Sequence, residues 1–339
     1  MNRHCLLARM ILALLLFGLV VGCAQQKGET AKPRVAIVTN GVASFWTIAQ
    51  AGAAEGAQEF DAEVTVHMPA EGISAQKRIV QDLLTLGVDG IAISSIDPDN
   101  QADLINSAAQ EVHLITIDSD APETNRLSFV GMDNYDAGRL CGRLVKEAIP
   151  EGGKIMIFVG RLEQDNARRR RQGLIDEILD RDFRAGHYDP PGSELRNGRF
   201  QIVGTLTDQF DRSKAKANAE DALSLFPDLA AMVGLFAYNP PLCLEALKQA
   251  GKAGDVAVIA FDEADETLQG IKDGYIHGTV VQDPYNYALE SVRVLTSIIR
   301  GDHSVIPENG LINIPARQIR AGNLGVFWAD LKSKMSRQR

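Results

Sequence analysis

From Arg34 almost to residue 320, short continuous apolar runs alternate with longer stretches whose apolar residues recur every three to four positions. A strand buried on both faces has no polar side, and each parallel connection needs a helix to shield it, so this alternation predicts parallel sheet covered by helices. RVAIVT at 34–39 reads as the first buried strand, and a helix is expected over about 44–60. Strands follow at 63–68, 90–94 and 113–118, separated by helices near 74–86 and 101–110. Right-handed crossovers place the C-terminal ends of these strands along one edge, where ligands bind. The pattern restarts with a helix near 135–147 and strands at 154–160, 201–207, 231–239, 256–262 and 279–283. The chain therefore holds two α/β units of comparable size. On the first helix Ile48, Gly52 and Gly56 share a face, which predicts a close approach of its backbone to the sheet. The longest irregular piece, about 182–198, reads as an exposed excursion.

The N-terminus is a different material. Arg3 and Arg9 precede an apolar run, Ile11 to Val21, that is too short for the roughly 20 residues a membrane crossing needs. It has the layout of a secretion signal. The run ends in Val20-Val21-Gly22-Cys23, which resembles the bacterial lipobox. Residues 1–22 are then a lipoprotein signal peptide, Cys23 the lipidated first residue of the mature chain, and 23–33 a polar tether. Of the other cysteines, Cys141 and Cys243 fall in apolar helical patterns and read as free and buried.

The charge balance excludes one class of partner. Lys plus Arg number 35 against 44 Asp plus Glu, a formal charge of -9, the wrong sign for binding nucleic acid. The six histidines are scattered without metal-ligand spacing, and no nucleophile has a neighbouring base, so no enzyme, metal or cofactor is expected.

Polar residues gather where the strands end. Phe45 and Trp46, after the first strand, are adjacent on a helix and point different ways, so at least one should face a crevice and offer its ring to the apolar face of a sugar. Ser94, Asp97, Asp118, Ser119 and Asp120 close strands in the first unit, and Asn239, Asp262 and Gln282 close strands in the second. A carboxylate accepts two hydroxyls and an amide both donates and accepts, which suits a neutral polyol, although an Asp at a strand end also caps helices. Of the four consecutive arginines from Arg168, one or two can enter a cleft.

These residues carry a resemblance. The order and spacing of Ser44-Phe45-Trp46, Thr116-Ile117-Asp118, Val130-Gly131-Met132-Asp133-Asn134 with Gly138, Asp165-Asn166-Ala167-Arg168 with Gly173, Asp208 to Arg212 and Ala260-Phe261-Asp262 resemble the type I periplasmic sugar-binding proteins of ATP-binding-cassette (ABC) importers, the ribose-binding group. The likeness covers nearly all of Arg34 to Arg320. It implies two Rossmann-like lobes joined by three hinge crossings, near Asp133, Asp283 and Gly310. Residues 34–133 plus 283–310 would form one lobe, and 134–282 plus 311–330 the other. By the same resemblance Phe45, Trp46 and Phe210 would stack on a sugar and Asp118 would be its central acceptor. Arg168 would clamp it from the second lobe, with Ser94, Ser119, Asn239, Asp262 and Gln282 as polar neighbours. The implied function is binding of a pentose, hexose or polyol by a monomer at the outer side of a bacterial membrane, and delivery to a permease. A sugar-sensing receptor system is the alternative. Where the group often has an arginine this chain has Ser119, an Asn-Pro pair becomes Ala43-Ser44, and an acid becomes Pro240, so the sugar stays open.

Overall fold

The computed structural model describes residues 31–336, and the signal segment with Cys23 lies outside the described residues. Residues 33–336 form one compact unit. Its first part runs β1 (Arg34–Val38), α1 (Ser44–Glu59), β2 (Glu63–His67), α2 (Gly72–Leu86), β3 (Gly90–Ile93), α3 (Pro98–Glu111), β4 (His113–Ile117) and β5 (Phe129–Gly131). The second part runs α4 (Asn134–Ala148), β6 (Gly153–Val159), α5 (Asp165–Ile178), β7 (Leu195–Asn197), β8 (Phe200–Thr207), α6 (Arg212–Leu225), β9 (Leu229–Gly234), α7 (Asn239–Gln249), β10 (Ala257–Phe261), α8 (Asp265–Lys272) and β11 (Gly278–Val281). The chain then returns through α9 (Pro284–Ile299) and β12 (Leu311–Asn313) before β13 (Arg317–Ile319) and α10 (Ala321–Ser336).

Two sheets result. One is wholly parallel, in the order β12-β5-β4-β3-β1-β2; the other is β13-β11-β10-β9-β6-β8-β7, with its two outer strands antiparallel. The central strands are buried beyond their first one or two residues, as their mainly apolar runs require. The chain passes between the sheets after β5, after β11 and after β12. The third passage falls between Asn313 and Arg317 rather than near Gly310, because Leu311, Ile312 and Asn313 pair with Phe129, Val130 and Gly131 in the first sheet.

Capping accounts for several aspartates at strand ends. Asp97 and Asp283 each accept from a backbone N–H in a first turn that opens on proline, and Asp133 accepts from the N–H groups of Tyr135 and Asp136. These three start helices. Asp120 instead accepts from Thr116 and is held by both arms of Arg126, at 2.5 and 2.7 Å.

The glycine face of α1 meets another helix, not the sheet. A Cβ on Gly52 would lie 1.9 Å from the Tyr285 carbonyl oxygen, and one on Gly56 would touch Val292, because α9 returns to cover the first sheet beside α1. The expected strand at 231–239 ends at Gly234 and turns into α7, while 182–198 is tied down through its middle. Arg171 donates to the Asp189 and Pro190 carbonyls and Gln172 donates to the Asp189 side chain. Cys141 and Cys243 are buried thiols, both free among the described residues.

A second close joint, with a glycine on each side, is between α4 and α5. A methyl on Gly138 would sit 2.0 Å from the carbonyl oxygen of Arg170, and one on Gly173 would sit 2.0 Å from that of Tyr135. Neither obstacle is a flexible side chain, so the two helices would have to separate. We expect Gly138→Ala to cost about 3 kcal/mol or more in urea denaturation, at or beyond the upper end of overpacking penalties. A loss below about 1 kcal/mol would show that the joint has slack.

Candidate functional site

A cavity of about 630 Å³ lies between the two sheets, lined from the first by Asn40, Phe45, Trp46 and Asp118 and from the second by Asn166, Arg170, Phe210, Phe236, Tyr238, Asp262 and Gln282. Its size falls within the roughly 300–1,000 Å³ of small-molecule sites. Strand ends supply the acids. Asp118 follows β4 and Asp262 follows β10, each in the left-handed backbone region at φ 62° and 66°. Their N–H groups donate to Val130 and Val280, in the neighbouring strands β5 and β11. The two aspartates are thus equivalent positions of two similar units, facing one cavity. Left-handed backbone costs a non-glycine residue about 1 kcal/mol or more, a strain typical of functional positions.

Asp118 is the centre of a relay. Its Oδ2 accepts from Ser94 Oγ at 3.1 Å and from Asn40 Nδ2 and Asn166 Nδ2 at 3.3 Å, while Asn40 Oδ1 accepts from the Trp46 indole at 2.9 Å. The Asn166 bond joins the lobes directly. Asp262 Oδ1 accepts from Gln282 Nε2 at 2.7 Å. Burial pushes the Asp118 carboxyl up to about 6 against the pull of the Arg170 charge, and burial raises Asp262 as well.

Arg170 is fully buried. Its guanidinium donates to the Leu235 carbonyl at 2.7 Å and to Asn134 Oδ1 at 3.0 Å, and it lies 3.9 Å from the centroid of the Phe261 ring. Among the described residues that leaves Nε without a hydrogen-bond partner, and Asn166 Oδ1 and Gln282 Oε1 lack one too. A donor and two acceptors on cavity-lining side chains therefore remain to be used.

Rings form the other walls. Phe45 and Trp46 meet edge to face at 4.9 Å, and both line the cavity. Across it, Phe210 and Phe236 are 5.5 Å apart edge to face, with Tyr238 stacked on Phe236 at 6.4 Å. Asp208 holds this group together, accepting from the Phe210 N–H at 2.8 Å, from Asn239 Nδ2 at 2.9 Å and from the Tyr238 hydroxyl. Phe210 itself has φ 64°, a conformation the Asp208 contact compensates.

Four expected contacts stand elsewhere. Arg168 does not line the cavity; it pairs with Asp99 at 3.3 Å across the lobes and lies over the Tyr188 ring. Successive helical residues turn by about 100°, so Arg170, one turn after Asn166, takes the inward place instead. Asn239 is spent on Asp208 and the Phe236 N–H, Ser94 stands behind Asp118, and Ser119 Oγ is buried away from the cavity. Phe45, Trp46, Asp118, Phe210, Asp262 and Gln282 do line it. Sequence reasoning passed over Asn40, Asn166, Arg170, Phe236 and Tyr238 as site residues. The i,i+4 pair Asn166 and Arg170 was a usable signal; nothing in the spacing marked Phe236 or Tyr238, which the sequence reads as strand.

The chain is 25% identical over 296 residues to the ribose import binding protein of Salmonella typhimurium, covering 86% of this chain and 93% of that one. It is 24% identical over 306 residues to the D-ribose/D-allose-binding protein of Pseudomonas aeruginosa, covering 86% and 89%. The fold is similar to the crystal structure of an ABC transporter solute-binding protein from Burkholderia graminis in complex with D-arabinose, with TM-score 0.77, 25% identity, and 87% and 97% of the two chains covered. A Bacillus halodurans solute-binding protein with bound myo-inositol matches with TM-score 0.76, 21% identity, and 89% and 99% covered. The model of the periplasmic binding protein domain matches residues 35–303, well over half of the chain, and the protein belongs to that family of binding proteins, which are not enzymes.

Proposed function

We propose that the cavity encloses a neutral monosaccharide or related polyol and that the protein delivers it to an ABC importer permease while held to a membrane by lipid on Cys23. The observation that carries this reading is the pairing of ring faces with two buried carboxylates, one buried guanidinium and three amides in a single cavity. Rings bury the C–H faces of a sugar, and the polar set accepts from and donates to its hydroxyls. Two acids against one buried arginine give the deep wall a negative balance, which disfavours anionic solutes. Solute-binding relatives named for ribose and allose, and a similar structure holding arabinose, support a sugar over other neutral solutes.

A thermal-shift screen of pentoses, hexoses, polyols and small carboxylic acids tests this. A ligand present at 100 times its Kd stabilises by about 2.7 kcal/mol, so a matching sugar or polyol should raise the melting temperature visibly and the acids should not. A blank across all neutral sugars and polyols would overturn the assignment.

A further inference from the structure

We propose that the C-terminal helix α10 is an intramolecular strap that holds the two lobes together and biases the ligand-free protein toward its closed form. This goes beyond the ligand reading and does not depend on it. The helix carries Leu324, Phe327, Leu331 and Met335 along one stripe. Its first half belongs to the second lobe. Leu324 and Phe327 enter the core beside Val281 and Ile319, and Trp328 Nε1 donates to Asp265 Oδ1 at 2.9 Å.

Its second half reaches across to the first lobe. Leu331, which also borders the second-lobe core, and Met335 pack against the cluster that Ile48 and Ala51 of α1 form with Tyr285 of α9, on the paired helices of the first lobe. Lys334 Nζ lies 5.3 Å from the centroid of the Tyr285 ring. One rigid helix therefore has a foot on each lobe, next to a chain crossing. Arg317, just after the third passage, lies over the Phe327 ring at 5.4 Å and 3.8 Å from Asp283, the cap at the second.

The geometry has a mechanical consequence. Opening the cleft by rotation about the three crossings must pull Leu331 and Met335 from their seat, or bend the helix. The contact on Ile48 lies one turn from Phe45 and Trp46, so the foot also braces the turn that carries two cavity rings. Exposing two partly buried apolar side chains should change the open-to-closed ratio by about tenfold or more.

The test compares the ligand-free full chain, made as Cys23→Ser to prevent lipidation, with Leu331→Glu/Met335→Glu and with the milder Leu331→Ala in the same background. Small-angle X-ray scattering reads the radius of gyration, and hydrogen exchange reads protection over residues 44–52. The strap predicts a larger radius and faster exchange in the double variant, and an intermediate shift in Leu331→Ala if the double variant misfolds. Faster exchange with an unchanged radius would make α10 a passenger and overturn the proposal. So would no change in either quantity. Neither measurement uses a sugar, so a failure here leaves the ligand assignment standing, and a blank ligand screen leaves this test intact.

Discussion

Arg170→Met should destabilise the ligand-free protein by about 3–5 kcal/mol at neutral pH and lower sugar affinity at least about 100-fold. Methionine preserves much of the volume, so the effect isolates charge and donors. Three interactions disappear at once: the bond to the Leu235 carbonyl, the bond to Asn134, and the stacking on Phe261. More costly is what remains. Asp118 and Asp262 are both buried, and Arg170 is the largest influence holding either carboxyl down against desolvation. Without it both acids rise further and at pH 7 must either take up protons or stay charged without compensation. The sign of the pH effect follows. Folded-state carboxyls with raised values bind more protons than unfolded ones, so their stability contribution is greatest at acid pH and is lost as pH rises through the folded values. Urea denaturation of the variant at pH 5 and pH 7.5 should show a larger gain on acidification than the parent. Equal penalties at both pH values would mean that Arg170 acts through packing alone.

The same residue shows where sequence reading reached and where it stopped. The two α/β units, their parallel strands and the edge that lines the cavity were legible because apolar runs and helical periodicity are local properties. Asp118, Asp262 and Gln282 were legible as strand-end residues. Their arginine partner was not, since choosing among Arg168, Arg169, Arg170 and Arg171 requires the rotation of α5 about its axis. That rotation is fixed by Gly173 against Tyr135 and by Gly138 against Arg170, a contact between helices and not a pattern within one. Likewise Gly52 and Gly56 announced a close approach without naming α9 as the partner. The short strands Phe129–Gly131 and Leu311–Asn313 have too few residues for periodicity to register, and missing the second displaced the third crossing. Tyr238 and Phe236 came to the site through a turn held by Asp208 and Asn239, a tertiary contact that overrode an apolar run.

Asp118→Asn should separate binding from stability. The buried trio of Arg170, Asp118 and Asp262 carries one negative charge in excess when both acids are ionised, and asparagine removes that excess while its Oδ1 still accepts from Ser94, Asn40 and Asn166. Asp118 takes up its proton near pH 6 in the folded chain, against 3.8 as its ordinary value. Keeping it ionised at pH 7 therefore costs about 3 kcal/mol relative to an unperturbed acid. The expected result is a melting temperature equal to or above that of the parent at pH 7.5, with the advantage shrinking as pH falls toward 5 and Asp118 itself becomes neutral. Binding should move the other way. A carboxylate accepts two sugar hydroxyls, and an amide offers one acceptor plus a donor pair aimed at them, so affinity should fall at least about tenfold, the cost of one charge-assisted hydrogen bond. In the parent, a sugar that needs the ionised form should bind progressively more weakly as pH drops through about 6, a dependence the variant lacks. Calorimetric titration of both proteins with the best sugar from the thermal screen, at pH 5, 6 and 7.5, reads these effects together. A variant that binds as tightly as the parent, or melts well below it at pH 7.5, would remove Asp118 from the centre of the site, because a carboxyl buried at such cost without holding ligand would serve the fold instead.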